Sequence, residues 1–224
     1  IFVAYDNLHQ FFNPNKIIQT GNPVRKDITT TLPNKKEACN FFQLSTDKKT
    51  ILIIGGSLGA KTINESIEKN LLQFQQNNLQ IIWQTGKVYY DGIIERTKNI
   101  DLSSIKIQQF IREMNMAYAA ADIVVSRAGA LSISELCIIG KPSILIPSPN
   151  VSEDHQTKNA MALVTKNAAI LIKDVEAKDT IDTTILNLLQ DETKLIELAN
   201  NIKTLAKSNA ATEIVTAILQ DINH

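Results

Sequence analysis

Three stretches of this 224-residue chain bring glycines, hydroxyls and charged side chains together in patterns that could hold an anionic ligand. In Gly55-Gly56-Ser57-Leu58-Gly59, three of the chain's eight glycines stand between an aliphatic run and an amphipathic segment. Glycine tolerates positive φ and lets a ligand approach the backbone. A helix starting there exposes unpaired N–H groups and a partial positive charge, which together suit phosphate. Ser57 adds a hydroxyl donor. The spacing is neither G-x-G-x-x-G nor G-x-x-x-x-G-K-[ST], so neither the dinucleotide fingerprint nor a P-loop is present. Taken alone, the loop reads equally well as a plain strand-to-helix turn.

The second stretch, Arg127-Ala128-Gly129-Ala130-Leu131-Ser132, turns from another apolar run into a helix, and Glu135 lies one turn further on. A carboxylate there can accept hydrogen bonds from two vicinal hydroxyls, such as those of a ribose. Its ordinary alternative is a charge favourably set on a helix dipole. The third stretch, Pro147 to Asn159, reads as a loop rich in hydrogen-bonding groups, with Gln156 and Asn159 as partners for sugar hydroxyls. Asp154-His155 suggests a catalytic pair or a metal site, but adjacent residues seldom converge on one ion and no other His or Cys has ligand spacing. Arg25, after Gly21-Asn22-Pro23-Val24, could reach a phosphate as a rigid fork. The ordinary reading is a surface arginine after a turn.

The elements that must position these groups alternate. Aliphatic runs at Thr50–Ile54, Leu79–Gln84, Ile105–Phe110, Asp122–Ser126, Ser143–Pro147 and Ala169–Ile172 predict strands. Helical spacing between them, as at Ile63, Ile67, Leu71 and Phe74, predicts covering helices at Ala60–Gln75, Met114–Ala121, Leu131–Ile139 and Asn159–Lys166. A short apolar run at Ile17-Ile18 and a helix around Lys35–Gln43 precede them. Such βαβ units imply a doubly wound parallel sheet, Rossmann-like, whose ligands sit beyond the carboxyl ends of the strands. The chain closes with helices at Ile181–Leu189, Thr193–Ala206 and Ala210–Ile222. In the last of these, Ala211, Ile214, Val215, Ile218, Leu219 and Ile222 form an apolar stripe that needs a surface on this domain or another.

Lys plus Arg and Asp plus Glu number 23 each, so a broad electrostatic attraction to nucleic acid or anionic lipid is not expected. Cys39 and Cys137 are too few and too far apart for a disulfide framework and read as reduced, structural thiols. No apolar stretch approaches the ~18 residues of a membrane span, and no signal-peptide pattern opens the chain. His9 and His224 carry no signal. The chain begins at Ile1, and the expectation is part of a longer protein: 1–15 as the tail of a preceding domain, 16–207 as one α/β domain, and 208–224 as a helix reaching that neighbour.

Four segments occur in order: Gly21-Asn22-Pro23-Val24-Arg25, Gly55-Gly56-Ser57-x-Gly59-Ala60-x-x-x-Asn64, Arg127-x-Gly129-Ala130-x-x-x-x-Glu135 and Glu153-Asp154-His155-Gln156-x-x-Asn159-Ala160. Together they resemble the C-terminal half of the MurG family, over nearly the whole chain. The resemblance implies the C-terminal domain of a GT-B glycosyltransferase that inverts the anomeric carbon without metal or cofactor. The donor would be UDP-N-acetylglucosamine. The acceptor would be undecaprenyl-pyrophosphoryl-MurNAc-pentapeptide (lipid I), held by an N-terminal domain and converted to lipid II. It assigns Arg25 and Ser57 to the diphosphate, and Ile111, after Phe110, to the uracil. Ala130, Leu131 and Ser132, followed by Ile133 and Ser134, would supply the helix end, and Glu135 would bind the ribose. Gln156 would hold the N-acetylglucosamine hydroxyls, with Gly56, His155 and Asn159 at the margin. No catalytic base is assigned; His155 is the one side chain considered for it. The family also implies a peripheral enzyme on the cytoplasmic face of the bacterial inner membrane, docked mainly through its other half, with no nucleic-acid partner. The alternatives are a UDP-N-acetylglucosamine 2-epimerase and a non-catalytic UDP-sugar-binding subunit of a two-chain transferase.

Overall fold

The computed structural model describes residues 1–4, 12–30, 32–150 and 154–222. Its elements, in chain order, begin with β1 (Phe2–Val3), β2 (Ile18–Gln19), α1 (Lys26–Thr29) and α2 (Lys35–Phe41). Then follow β3 (Thr50–Ile54), α3 (Lys61–Gln76), β4 (Gln80–Gln84), α4 (Tyr90–Thr97), β5 (Ile105–Gln108) and α5 (Met114–Ala120). The second half runs β6 (Ile123–Ser126), α6 (Ala130–Ile139), β7 (Ser143–Leu145), α7 (His155–Val164), β8 (Ile170–Leu171), α8 (Ala177–Gln190), α9 (Glu192–Lys203) and α10 (Ala210–Ile222).

Six strands pair in parallel in the order β5-β4-β3-β6-β7-β8. The first three strands of this sheet wind toward one edge and the last three toward the other. Residues alternate between the faces of a strand, and the core divides accordingly. Leu52, Ile54, Ile82, Val124 and Leu145 pack with residues from α2, α5, α6 and α7. Ile51, Ile53, Ile81, Trp83, Val125 and Ile144 face the other way, onto α3, α8 and α9. All five residues of β3 and of β4 are buried, which is why neither strand has a polar face.

Polar pins hold helices to strand ends. Lys35 Nζ donates to both carboxylate oxygens of Asp122 at 2.8 Å, and Asp122 Oδ2 accepts from the Thr50 amide at 2.7 Å, locking the amino-end rim. At the other end, Asn64 of α3 donates to the Thr85 carbonyl (2.8 Å) and accepts from Trp83 Nε1 (3.0 Å). These bonds satisfy polar groups that burial would otherwise leave costly. Cys39 and Cys137 are free and buried, and burial pushes the Cys137 thiol up to about 11.

Some expectations needed revision. The Ile17-Ile18 run becomes β2, which pairs only with β1 in a separate two-stranded sheet, not with the main one. Helices α1 and α4 are additions to the expected elements; α4 is short and carries Gly92, and its Ile93 packs into the core. The helix expected from Asn159 starts at His155, so Gln156 and Asn159 stand on its first turns and not in a loop. The stripe on α10 finds no cover among the described residues: Val215, Leu219 and Ile222 are 55%, 55% and 72% exposed. No described helix is long and apolar enough to cross a membrane. His9, His224 and Glu153 lie outside the described residues.

The glycine loop after β3 meets the loop after β4 backbone to backbone. Gly59 has φ +90° and Gly86 φ +80°. A Cβ on Gly86 would sit 2.1 Å from the Gly59 nitrogen. Gly86→Ala therefore combines an unfavourable φ with a clash against main chain. We expect a stability loss of at least about 2 kcal/mol, read from the urea midpoint at unchanged m-value.

Candidate functional site

The strand order reverses between β3 and β6, and the loops leaving these two strands diverge to open a crevice. It forms an open cavity of about 480 Å³ lined by Gly55, Gly56 and Gly59, the first turn of α3, Arg127, Gly129, Ser132, the Ser148–Asn150 loop and Gln156. The first turns of α3 and α6 both face it, and neither helix has a side-chain cap. Their leading N–H groups have no intrahelical acceptor. Gly56, at φ +84°, has no atom within 4 Å of where a Cβ would lie, so the backbone there is open to a ligand. Two uncapped positive helix ends meeting in one crevice suit a polyanion better than a neutral molecule. A larger hollow of about 570 Å³ lies between α3 and α4, but it is more open and no loop from β3 or β6 enters it. Its charges are already matched, with Arg96 donating to both oxygens of Glu68.

The cavity is fastened by Arg127 together with residues that the sequence does not single out, Gln84 and Asp174. Gln84, at the end of β4, donates to the Gly56 carbonyl (3.1 Å) and accepts from the Ile111 amide (2.9 Å), joining the glycine loop to the loop after β5. Arg127 Nη1 donates to the carbonyls of Ile146 (3.0 Å) and Pro147 (3.1 Å) and to Asp174. Asp174 also accepts from Thr62 Oγ1 at 2.8 Å. This ion pair, each side chain 14% exposed, ties β6, α3 and the segment after β8 together. Arg127 is thereby neutralised, and Lys61, 71% exposed on the first turn of α3, is a cation that can still reach the cavity. Nothing local marks Gln84 or Asp174, because their partners lie 27 to 112 residues away.

The predicted residues fall into three groups. Gly56, Ser132 and Gln156 line the cavity. Gln156 is partly committed, since its Oε1 accepts from the Ser148 amide at 2.9 Å. Ser57 is exposed on the same loop, Ala130 and Leu131 are exposed on the first turn of α6, and His155 is exposed at the start of α7.

A second group flanks α6. Glu135 accepts from the Tyr118 hydroxyl at 2.8 Å, and its other oxygen lies 3.9 Å from Arg25 Nε. Arg25 is 43% exposed and sits a similar 3.8 Å from Asp27. Burial raises the Glu135 pKa; the Tyr118 hydrogen bond and Arg25 oppose that rise and Asp27 adds to it. Ile111 is buried with its N–H spent on Gln84, so a ligand would meet only its carbonyl, next to the exposed ring of Phe110.

A third group is not available to a ligand as expected. The Ile133 side chain is in the core and its N–H donates to the Gly129 carbonyl at 2.9 Å, because it is the first residue of α6 with an intrahelical partner. Ser134 Oγ donates to the Ala130 carbonyl (3.0 Å) and accepts from Asn22 (3.1 Å), anchoring the segment that carries Arg25. Asn159 donates to the Ala128 carbonyl (3.0 Å) and so supports the second loop from behind. Among the described residues, no three His, Cys, Asp or Glu side chains gather as a metal site would need.

Residues 50–214 match the family model "Glycosyltransferase family 28 C-terminal domain". The chain is 50% identical over 223 residues to a Parabacteroides distasonis protein named UDP-N-acetylglucosamine--N-acetylmuramyl-(pentapeptide) pyrophosphoryl-undecaprenol N-acetylglucosamine transferase, covering 100% of this chain and 61% of that one. A Bacteroides thetaiotaomicron protein of the same name is 50% identical over 222 residues, covering 98% and 60%. The crystal structure of Acinetobacter baumannii MurG superposes with a TM-score of 0.69 at 27% identity, covering 92% of this chain and 58% of that one. The chain thus spans about three fifths of the length of the curated relatives it matches. With the family model covering most of its length and half of its residues shared with these relatives, the chain belongs to the glycosyltransferase family 28 C-terminal domain family.

Proposed function

We propose that this chain is the donor-binding part of an inverting glycosyltransferase that moves N-acetylglucosamine from UDP-N-acetylglucosamine to undecaprenyl-pyrophosphoryl-MurNAc-pentapeptide. One observation carries the reading: the uncapped first turns of α3 and α6 converge on the crevice at the strand reversal, with Glu135 and Arg25 on the flank of the same helix. The names of the half-identical relatives support the choice of donor and acceptor. They lend nothing to the epimerase or the non-catalytic subunit.

In this reading the diphosphate lies between the Gly55–Gly59 loop and the Leu131 and Ser132 amides. The ribose diol meets Glu135, the uracil lies by Phe110 and the Ile111 carbonyl, and the sugar extends toward Gln156. As the C1–O bond stretches, negative charge grows on the β-phosphate. Fixed N–H dipoles stabilise that charge more in the transition state than in the ground state. Among the described residues, Arg25 makes ion-pair contacts longer than hydrogen bonds, to Asp27 and Glu135, so its guanidinium can turn to the phosphates. The acceptor surface and the membrane contact at the inner face of the cell membrane belong, in this proposal, to the remaining two fifths of the relatives' length. The bare apolar stripe of α10 would pack there.

Titration calorimetry should find UDP binding to this chain at or below about millimolar ligand, with no sugar transfer to lipid I. Absence of binding there would remove the reading. Glu135→Ala should weaken UDP by about 1–3 kcal/mol while leaving inorganic pyrophosphate unchanged; equal effects on both would take Glu135 out of the ribose role.

A pH dependence follows as well. The ionised carboxylate is the hydrogen-bond acceptor, and burial holds its pKa above the ordinary glutamate value. The affinity that UDP has beyond pyrophosphate should therefore decline on acidification, beginning above the usual carboxylate range. That decline should be lost in Glu135→Gln.

A further inference from the structure

Tyr118 belongs to α5, which packs against α2, and its side chain is 1% exposed. Its ring is fixed in the core that also contains Ile111, Met114 and Ile133. Its one polar atom reaches Glu135 Oε2 at 2.8 Å. We infer that Tyr118 is a positioning residue for nucleoside recognition: its buried hydroxyl holds one carboxylate oxygen of Glu135 so that the group stays turned toward a ribose diol. This rests on the ribose reading of Glu135.

The chemistry is economical in atoms. A carboxylate offers about four lone-pair sites, and Tyr118 occupies one. Oε1 lies 3.9 Å from Arg25 Nε, beyond hydrogen-bond length, and keeps its lone pairs for a ligand. A glutamate side chain has several rotatable bonds, and a half-buried one with Arg25 close by has another orientation within reach, toward the guanidinium. A donor set in the core removes that freedom before the ligand arrives, so less ordering remains for binding to supply. Arg25 and Asp27 from the preceding segment and Tyr118 from α5 are the charged and titratable groups facing Glu135. Burial holds Tyr118 well above its usual ionisation, so it remains a donor throughout the working pH range. The competing account is a buried tyrosine whose hydroxyl merely found an acceptor.

The test is Tyr118→Phe, titrated with UDP and with 2′-deoxy-UDP. The inference expects UDP affinity to fall about 3- to 10-fold while 2′-deoxy-UDP changes little, so that the preference for the ribonucleotide contracts by that factor. It also expects the acid decline of UDP binding to move to higher pH, since Glu135 loses a bond that favours its ionised form. Equal weakening of both nucleotides, with the pH profile unmoved, would reduce Tyr118 to a structural residue and overturn the inference. Unaltered chain that binds the two nucleotides equally would instead overturn the ribose reading of Glu135, and the inference with it. Should the variant not fold, NMR of the unaltered chain serves. The Tyr118 hydroxyl proton should exchange slowly and shift on adding UDP but not pyrophosphate; a proton unmoved by UDP counts against the inference.

Discussion

A parallel sheet buried on both faces compels every crossover helix to begin at the same rim. The chain leaves each strand at its carboxyl end and must turn there into the helix that covers it. The positive ends of the helices therefore gather on one side of the molecule, and where the strand order reverses two of them face each other across a gap. In this chain those are α3 and α6, both without a side-chain cap. An isolated helix would satisfy its leading amides with a serine or aspartate. Here alanine and glycine precede the helices, and neither offers a side-chain cap to the first turn. The site thus follows from the sheet, and the loops refine it.

The refinement consists mostly of fixing backbone. Gln84 bridges two loops, Arg127 and Asp174 bind three segments, and Asn64 and Asn159 hold a helix against a strand end and a loop against a helix. Each spends its polar group on the protein itself, either buried or with little exposure. A rim built in this way presents its donors in place, which lowers the reorganisation that binding an anion would otherwise require. Arg127 shows the division of labour. It has the charge to bind phosphate, yet its partners are two carbonyls and Asp174, and its role is to set the loops.

Glu135 stands between these two kinds of residue. Its side chain is 18% exposed, anchored from below by Tyr118 and faced from the side by Arg25. Burial makes the ionised form costly, and the two neighbours offset part of that cost. A carboxylate in that balance is sensitive both to protonation and to what approaches its other oxygen.

The sequence alone determined the architecture and pointed to the loops that line the crevice. Six aliphatic runs with glycine turns and helical repeats between them admit little except a doubly wound parallel sheet, because local hydrophobic period and turn residues act over a few positions and are visible there. The loops at Gly55–Gly59 and Arg127–Ser132 were legible for the same reason. Tertiary structure decided which side chains in those loops remain available. Ile133 and Ser134 follow Ser132 directly and yet are spent, one in the core and one on Asn22; Asn159 is spent on Ala128, while Gln156 three residues earlier reaches the cavity. It also placed Gln84, Asp174 and Tyr118 where no short-range pattern points. A hydrogen bond depends on where two atoms meet in space, and residues far apart in the chain meet only after the sheet has brought their strand ends together.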